Sequence, residues 1–162
     1  MNRKILTLFA IFLVAVSMAS VCAVELTKEN GFDGLFKMKV ADGDNFTNGD
    51  NSQNYTKLLQ SSAVYKNSNE SVFVFVYNGG INDALLAMTY GDIDAQYGVK
   101  KANFTTDGDL TLLNKTPGME SALKNYTLTT FAGVSNPNNQ TTVFVGGNND
   151  TLVKEYAKTI VF

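Results

Sequence analysis

Few side chains in this sequence of 162 residues are suited to chemistry, and most of those that are carry carboxylate or amide groups. The densest such group is Asp42, Asp44 and Asp50, together with Asn48. Ca²⁺ prefers oxygen ligands of these types, so the segment is a candidate calcium loop. Its spacing departs from the helix-loop-helix calcium motif, because Phe46 stands where the third ligand belongs and no Glu closes the loop. A solvated loop without metal is the simpler interpretation.

Missing residue types exclude several kinds of active site. The sequence has no His and no Trp, and its single Cys and single Arg are Cys22 and Arg3. Beyond residue 23, a serine-histidine triad, a cysteine nucleophile and zinc or haem ligation by His or Cys are therefore excluded. We predict no catalytic, cofactor-binding or metal-binding residue. The alternative hypothesis is a carboxylate-dependent hydrolase or a Ca²⁺-dependent domain that uses Asp42, Asp44 or Asp50.

Asparagine is abundant, and eight asparagines stand in Asn-x-Ser/Thr triplets, the acceptor pattern of N-linked glycosylation. These candidate glycosylation sites are Asn45, Asn54, Asn69, Asn103, Asn114, Asn125, Asn139 and Asn149. The excess of triplets over chance favours a glycosylated exported protein. The alternative is a surface rich in Asn and Thr that forms such triplets freely.

The first 23 residues have the three parts of a secretory signal peptide. Arg3 and Lys4 precede an apolar run over residues 5–16, and small residues lead to Ala23, where we expect cleavage. The apolar run is shorter than the about 20 residues of a membrane span, and an uncleaved anchor is the alternative. We therefore expect a secreted or cell-envelope protein that begins at Val24, with no transmembrane span after signal removal.

Residues 24–162 are predicted to form a single domain with an acidic balance. The segment has 11 basic residues against 15 acidic ones, a net charge of −4. Nucleic acids and anionic membranes both need a basic surface, so neither is an expected partner. A protein or glycan of the cell envelope is the partner class that remains.

Four short motifs recur in the same order in the two halves of this domain. They are an Asp-Gly pair, an Asn-Tyr-Thr triplet, a Val-Phe-Val run and a Gly-Gly-x-Asn-Asp segment, which begin at residues 33, 54, 72 and 79 and again at 107, 125, 143 and 146. The middle two motifs recur at a separation of 71 residues and the last at 67. This order predicts an internal tandem repeat, about 33–95 and 107–162, against the alternative of convergent use of common strand and turn residues.

Local patterns predict the elements of each half. Apolar alternation and turn residues predict hairpins formed by residues 61–66 with 71–78 and by 126–134 with 141–145. Helical spacing of apolar residues predicts a helix after each hairpin. A shorter helix is predicted over 117–124, with Thr116 as its cap, and residues 41–53 are predicted to be a loop.

These elements predict the fold class. Strands in groups with helices after them are typical of α+β proteins. We therefore predict an antiparallel sheet with helices on one face. With the repeat, this sheet would consist of two pseudo-symmetric copies of a strand-hairpin-helix unit.

The strand-like run over residues 71–77 is apolar on both faces. Alternation places three valines on one face and Phe73, Phe75 and Tyr77 on the other. A sheet covered by helices on one side only would leave one set exposed, and an exposed aromatic strip binds partners. The aromatic set is thus a candidate partner surface, and burial by the chain's own loops is the alternative.

The sequence as a whole resembles small exported proteins of uncharacterised function from methanogenic archaea. The signal segment, the density of Asn-x-Ser/Thr triplets, the preference for Lys over Arg and the near absence of Cys and His carry this resemblance. It implies export but no activity. The leading hypothesis is a non-enzymatic surface or secreted domain that binds a macromolecule or a cell-wall glycan.

Overall fold

The computed structural model describes residues 24–49, 58–89 and 104–162. The strands are β1 (Leu26–Phe32), β2 (Phe36–Ala41), β3 (Phe46–Asn48), β4 (Ala63–Asn67), β5 (Val72–Asn78), β6 (Phe104–Asp107), β7 (Leu110–Asn114), β8 (Thr130–Asn136) and β9 (Thr141–Gly147). The helices are α1 (Ile81–Met88), α2 (Glu120–Leu123) and α3 (Asp150–Lys158), and short 3₁₀ turns lie at Leu58–Gln60 and Pro117–Met119.

Seven strands form one antiparallel sheet in the order β3-β4-β5-β9-β8-β7-β6. At its centre β5 pairs with β9 along its whole length, from Val72 opposite Gly147 to Asn78 opposite Thr141. Strands β1 and β2 form a separate antiparallel hairpin. The predicted α+β class with an antiparallel sheet is confirmed.

Each face of the central sheet has its own hydrophobic core. On the aromatic face, which carries Phe73, Phe75, Phe131 and Phe144, residues of α1, α2 and both 3₁₀ turns pack. On the valine face, which carries Val72, Val74, Val143 and Val145, α3 and the β1–β2 hairpin pack. The two longer helices therefore lie on opposite faces, whereas the sequence prediction placed the helices on one face. The reason is that β5 is apolar on both sides, so each side has to be covered.

The predicted tandem repeat is not confirmed. The two hairpins do share a register, because Ala63 pairs with Val76 and Ala132 pairs with Val145, a separation of 69 residues at both positions (132 − 63 and 145 − 76). The helices that follow them then lie on opposite faces. After β5 the chain turns at Gly79, whose φ of 128° is accessible mainly to glycine, and Asn148 after β9 has no such positive φ.

Three strands were not predicted. β1 carries mostly polar residues, β3 lies inside the predicted loop over 41–53, and all four residues of β6 are exposed. The Asp-Gly motifs are turns: Asp33 and Gly34 have φ of 50° and 76° in a turn closed by the Leu35 N–H, which donates to the Phe32 carbonyl. Residues 50–53 of the predicted loop lie outside the described residues.

Two glycines make room for the aromatic face. Gly133 lies opposite Phe144, and Gly146 lies opposite Phe131, in the β8–β9 pair. A Cβ atom at Gly146 would stand 2.6 Å from the Phe131 ring, and one at Gly133 would clash with the Phe144 ring. Each ring therefore occupies the space of a side chain on the neighbouring strand.

We expect Gly133→Ala to lower the free energy of unfolding by about 1–3 kcal/mol, because the new methyl group overpacks the Phe144 ring. Denaturant unfolding of the purified protein measures this difference. The control is Gly31→Ala, since a Cβ at Gly31 meets nothing within 4 Å. Equal effects of the two substitutions would show that ring packing over Gly133 does not limit stability.

Candidate functional site

The acceptor asparagines are the candidate functional residues that the structure leaves accessible. Six of them are described and all six are exposed: Asn45, Asn69, Asn114, Asn125, Asn139 and Asn149. Asn54 and Asn103 lie outside the described residues. Attachment of a sugar requires an accessible amide, and each of the six meets this condition.

The hydrogen bonds of these side chains leave the attachment atom unused. Four of the acceptors accept hydrogen bonds through the carbonyl oxygen Oδ1, namely Asn45, Asn69, Asn139 and Asn149. At Asn149, for example, Oδ1 accepts from the Leu152 N–H at 3.1 Å and caps α3. A sugar bonds to Nδ2, so glycosylation is compatible with every one of these contacts. Two asparagines outside such triplets, Asn48 and Asn67, instead donate from Nδ2 to carboxylates inside the fold.

Most acceptors lie at one end of the central sheet. We call it the sequon end, and it is the end at which Val72 pairs with Gly147 and Asn114 pairs with Thr130. Asn114 is the last residue of β7, and Asn149 follows β9 by two residues. The antiparallel order places the start of β3 and the β4–β5 loop at this same end.

The remaining acceptors follow from that geometry. Asn45 precedes β3 and Asn69 lies in the β4–β5 loop, so both lie at the sequon end. Asn125 also lies there, because the ring of its neighbour Tyr126 packs 4.9 Å from that of Phe73 near the start of β5. Asn139, in the β8–β9 loop, lies at the opposite end. Five of the six described acceptors thus share one end of the sheet.

The candidate partner surface on β5 is buried. Phe73, Phe75 and Tyr77 are 0%, 0% and 3% exposed. The Tyr77 hydroxyl donates to the Leu59 carbonyl at 2.9 Å, which ties the strand to the first 3₁₀ turn. Burial by the chain itself, the alternative interpretation of this strand, is the observed arrangement, and these side chains are core rather than a binding surface.

The candidate calcium loop is held by tyrosine and amide contacts. Asp44 accepts from the Tyr156 hydroxyl and, at 3.3 Å, from Asn67 Nδ2. Asp42 is exposed, and Asp50 lies outside the described residues. Within residues 24–49, 58–89 and 104–162, no group of three or more acidic, His or Cys side chains is placed to hold a metal ion. Asp44 therefore has a structural partner on α3.

A second aspartate and tyrosine form a matching contact. Asp33, in the β1–β2 turn, accepts from the Tyr65 hydroxyl at 2.8 Å and from Asn48 Nδ2 at 3.2 Å. Burial raises the pKa of Tyr65 and of Tyr156, and the hydrogen bonds to Asp33 and Asp44 raise it further. The two pairs attach the hairpin and the acidic loop to β4 and α3. Sequence patterns did not reveal them, because Asp44 and Tyr156 are 112 residues apart.

One polar cavity lies beside the sequon end. It has a volume of about 310 Å³ and lies between α3 and the strands β6 to β8. Its lining includes Thr105, Leu112, Asn114, Thr130, Asp150 and Lys154. A second, more apolar groove of about 340 Å³ contains Phe36, Val161 and Phe162. Of the helices in the described parts of the chain, none is long and apolar enough to cross a membrane.

The tyrosine–aspartate pairs predict a loss of stability at alkaline pH. A pKa raised in the folded state means that the folded protein keeps a proton that the unfolded chain releases near pH 10. This contribution is complete below pH 10, and we expect it to decline as the pH rises above 10. Replacing Tyr65 and Tyr156 together by Phe should make the alkaline decline shallower and remove about 1 kcal/mol per hydrogen bond at pH 7.

Unfolding free energies measured from pH 7 to 11 for the two proteins check this. The remaining tyrosines and the lysines titrate in both proteins, so the difference between the two curves isolates Tyr65 and Tyr156. Parallel curves would contradict the assignment.

Thr116 carries a buried hydroxyl without a hydrogen-bond partner. It was predicted to cap the helix over 117–124, but no cap bond is made from its side chain. Replacing an unpaired buried hydroxyl by a methyl group removes a desolvation cost, so we expect Thr116→Val to stabilise the unglycosylated protein by about 1 kcal/mol. The control is Thr142→Val, which should destabilise it, because the Thr142 hydroxyl bonds Gly79 O and Ser135 Oγ at 3.0 Å each. Thermal and denaturant unfolding measure both effects, and destabilisation by both would contradict the account of Thr116.

Comparison with known protein families, curated proteins and solved structures found no match to the chain. What the protein does is therefore inferred from its own residues and contacts.

Proposed function

We propose that this chain is an exported, N-glycosylated protein, secreted or held in the cell envelope, that acts by binding a macromolecule or a cell-wall glycan. The exposure of all six described acceptor asparagines carries the proposal. Asparagine is a residue that folds also use internally, as Asn67 is used here at 2% exposure. The acceptors instead point their attachment atom away from the fold's own hydrogen bonds.

The distribution of the acceptors also supports the proposal. Five of them at the sequon end would surround that end with carbohydrate and leave the opposite end with Asn139 alone among the described acceptors. A protein exposed outside the cell gains solubility from such a cover, and the barer surfaces stay available to a partner. An acidic net charge favours a partner other than nucleic acid.

Binding rather than catalysis is supported by the chemistry available. The residue types that form most nucleophile and acid–base pairs are missing beyond residue 23. Asp33 and Asp44, which the fold brings into tyrosine contacts, serve as acceptors within the structure. Holding a hairpin and a loop in place accounts for both carboxylates.

Intact mass and native mass of the protein, purified from the envelope and medium of the organism that encodes it, test the proposal. We expect a polypeptide that begins at Val24, carries added mass in whole sugar units and copurifies with a partner. Asn125→Gln should remove one glycan, whereas Asn138→Gln, an exposed asparagine outside any triplet, should remove none. An unmodified monomer without a partner would refute the proposal.

A further inference from the structure

We infer that the sugar chain on Asn114 packs its first residue into the cavity between α3 and strands β6 to β8. The inference rests on the proposed function, since it requires that Asn114 is glycosylated. It adds a specific role for one acceptor: its carbohydrate becomes part of the packed structure, while the carbohydrate on an acceptor such as Asn125 extends into solvent.

The position of Asn114 is the first argument. Asn114 is exposed, yet it also forms part of the cavity lining, so a sugar joined to its side chain starts at the cavity itself. The cavity volume of about 310 Å³ lies at the lower end of the range for small-molecule sites, which suits a sugar ring rather than a long ligand. A tethered ligand needs little intrinsic affinity, because attachment keeps its effective concentration high.

The chemistry of the lining is the second argument. Thr105 and Thr130 offer hydroxyl groups that donate and accept, and Leu112 offers an apolar surface for the face of a ring. Lys154 Nζ and Asp150 Oδ2 form an ion pair at 2.9 Å, so the charges at the wall balance one another. A neutral ligand with many hydroxyl groups fits such a lining better than an ion does, because no charge is left over to be paired.

The environment of the triplet sets the order of events. The backbone N–H of Lys115 donates to the Thr129 carbonyl at 2.8 Å, and the hydroxyl of Thr116 is buried. A transferase that recognises the Asn-x-Thr triplet needs access to that hydroxyl, so attachment at Asn114 precedes folding of this segment. Thr47 and Thr127, at the same place in the triplets of Asn45 and Asn125, stay exposed.

The attachment itself uses a lipid-phosphate-linked oligosaccharide as donor. Asn114 Nδ2 forms a bond to the anomeric carbon of the sugar and loses one hydrogen as a proton to a base of the transferase. The bond between that carbon and the carrier's phosphate oxygen breaks, and the phosphorylated lipid leaves with the electron pair. The carbonyl oxygen of the amide is unchanged, and the folding chain then closes α3 over the attached sugar.

The test compares the thermal stability of two forms of the protein, one made in its own glycosylating organism and one made in a host without that machinery. Asn114→Gln should lower the Tm of the glycosylated form by about 3 °C and leave that of the unglycosylated form unchanged. The matched control is Asn125→Gln, an exposed acceptor, which should change neither Tm. Peptide mass spectrometry establishes which acceptors carry sugar.

A second pair of variants tests the cavity wall. Lys154→Ala should lower the Tm of the glycosylated form more than that of the unglycosylated form, because it removes a donor to the sugar. Lys158→Ala, which removes an ion pair with Glu155 on the same helix, should lower both equally. Sugar on Asn114 with no such difference overturns the inference alone, as does an unmodified Asn114 beside modified acceptors. Absence of sugar from every acceptor overturns the proposed function as well.

Discussion

The central strand β5 is apolar on both faces, and the rest of the structure depends on covering it twice. Phe73 and Phe75 face one core, and Val72 and Val74 face the other, each at 2% exposure or less. Burial of side chains of this size contributes about 2 kcal/mol each, so neither face can be left to water without a large loss of stability. Helix α1 therefore packs on one side, and α3 with the β1–β2 hairpin packs on the other.

The covering layer on the valine face is attached by polar contacts as well as by packing. The Tyr156 hydroxyl bonds Asp44 from α3, and the Tyr65 hydroxyl bonds Asp33 from β4. Both tyrosine rings are buried, so each hydroxyl needs a partner inside the fold, and a carboxylate is a strong one. The acidic loop that resembled a metal site in composition thereby becomes the connection between hairpin, sheet and helix.

With the apolar and acidic residues occupied in this way, the accessible chemistry is mostly amide. The acceptor asparagines lie where strands end and loops begin, which is where an antiparallel sheet exposes its polar residues. Carbohydrate at the sequon end, a polar cavity beside Asn114 and barer surfaces elsewhere form a consistent picture of an exported binding protein. In that picture the sugars are both a cover and, at Asn114, a packing element.

The sequence by itself determined the α+β class, both central hairpins, the helices that follow them and the acceptor positions, because alternation, helical spacing and turn residues are local signals. It did not reveal the polar strand β1 or the exposed strand β6, whose side chains carry no apolar period. Only the tertiary structure decided that Phe75 is core, that α1 and α3 lie on opposite faces and that Asp44 meets Tyr156. Those outcomes depend on contacts between distant residues, which local patterns do not specify.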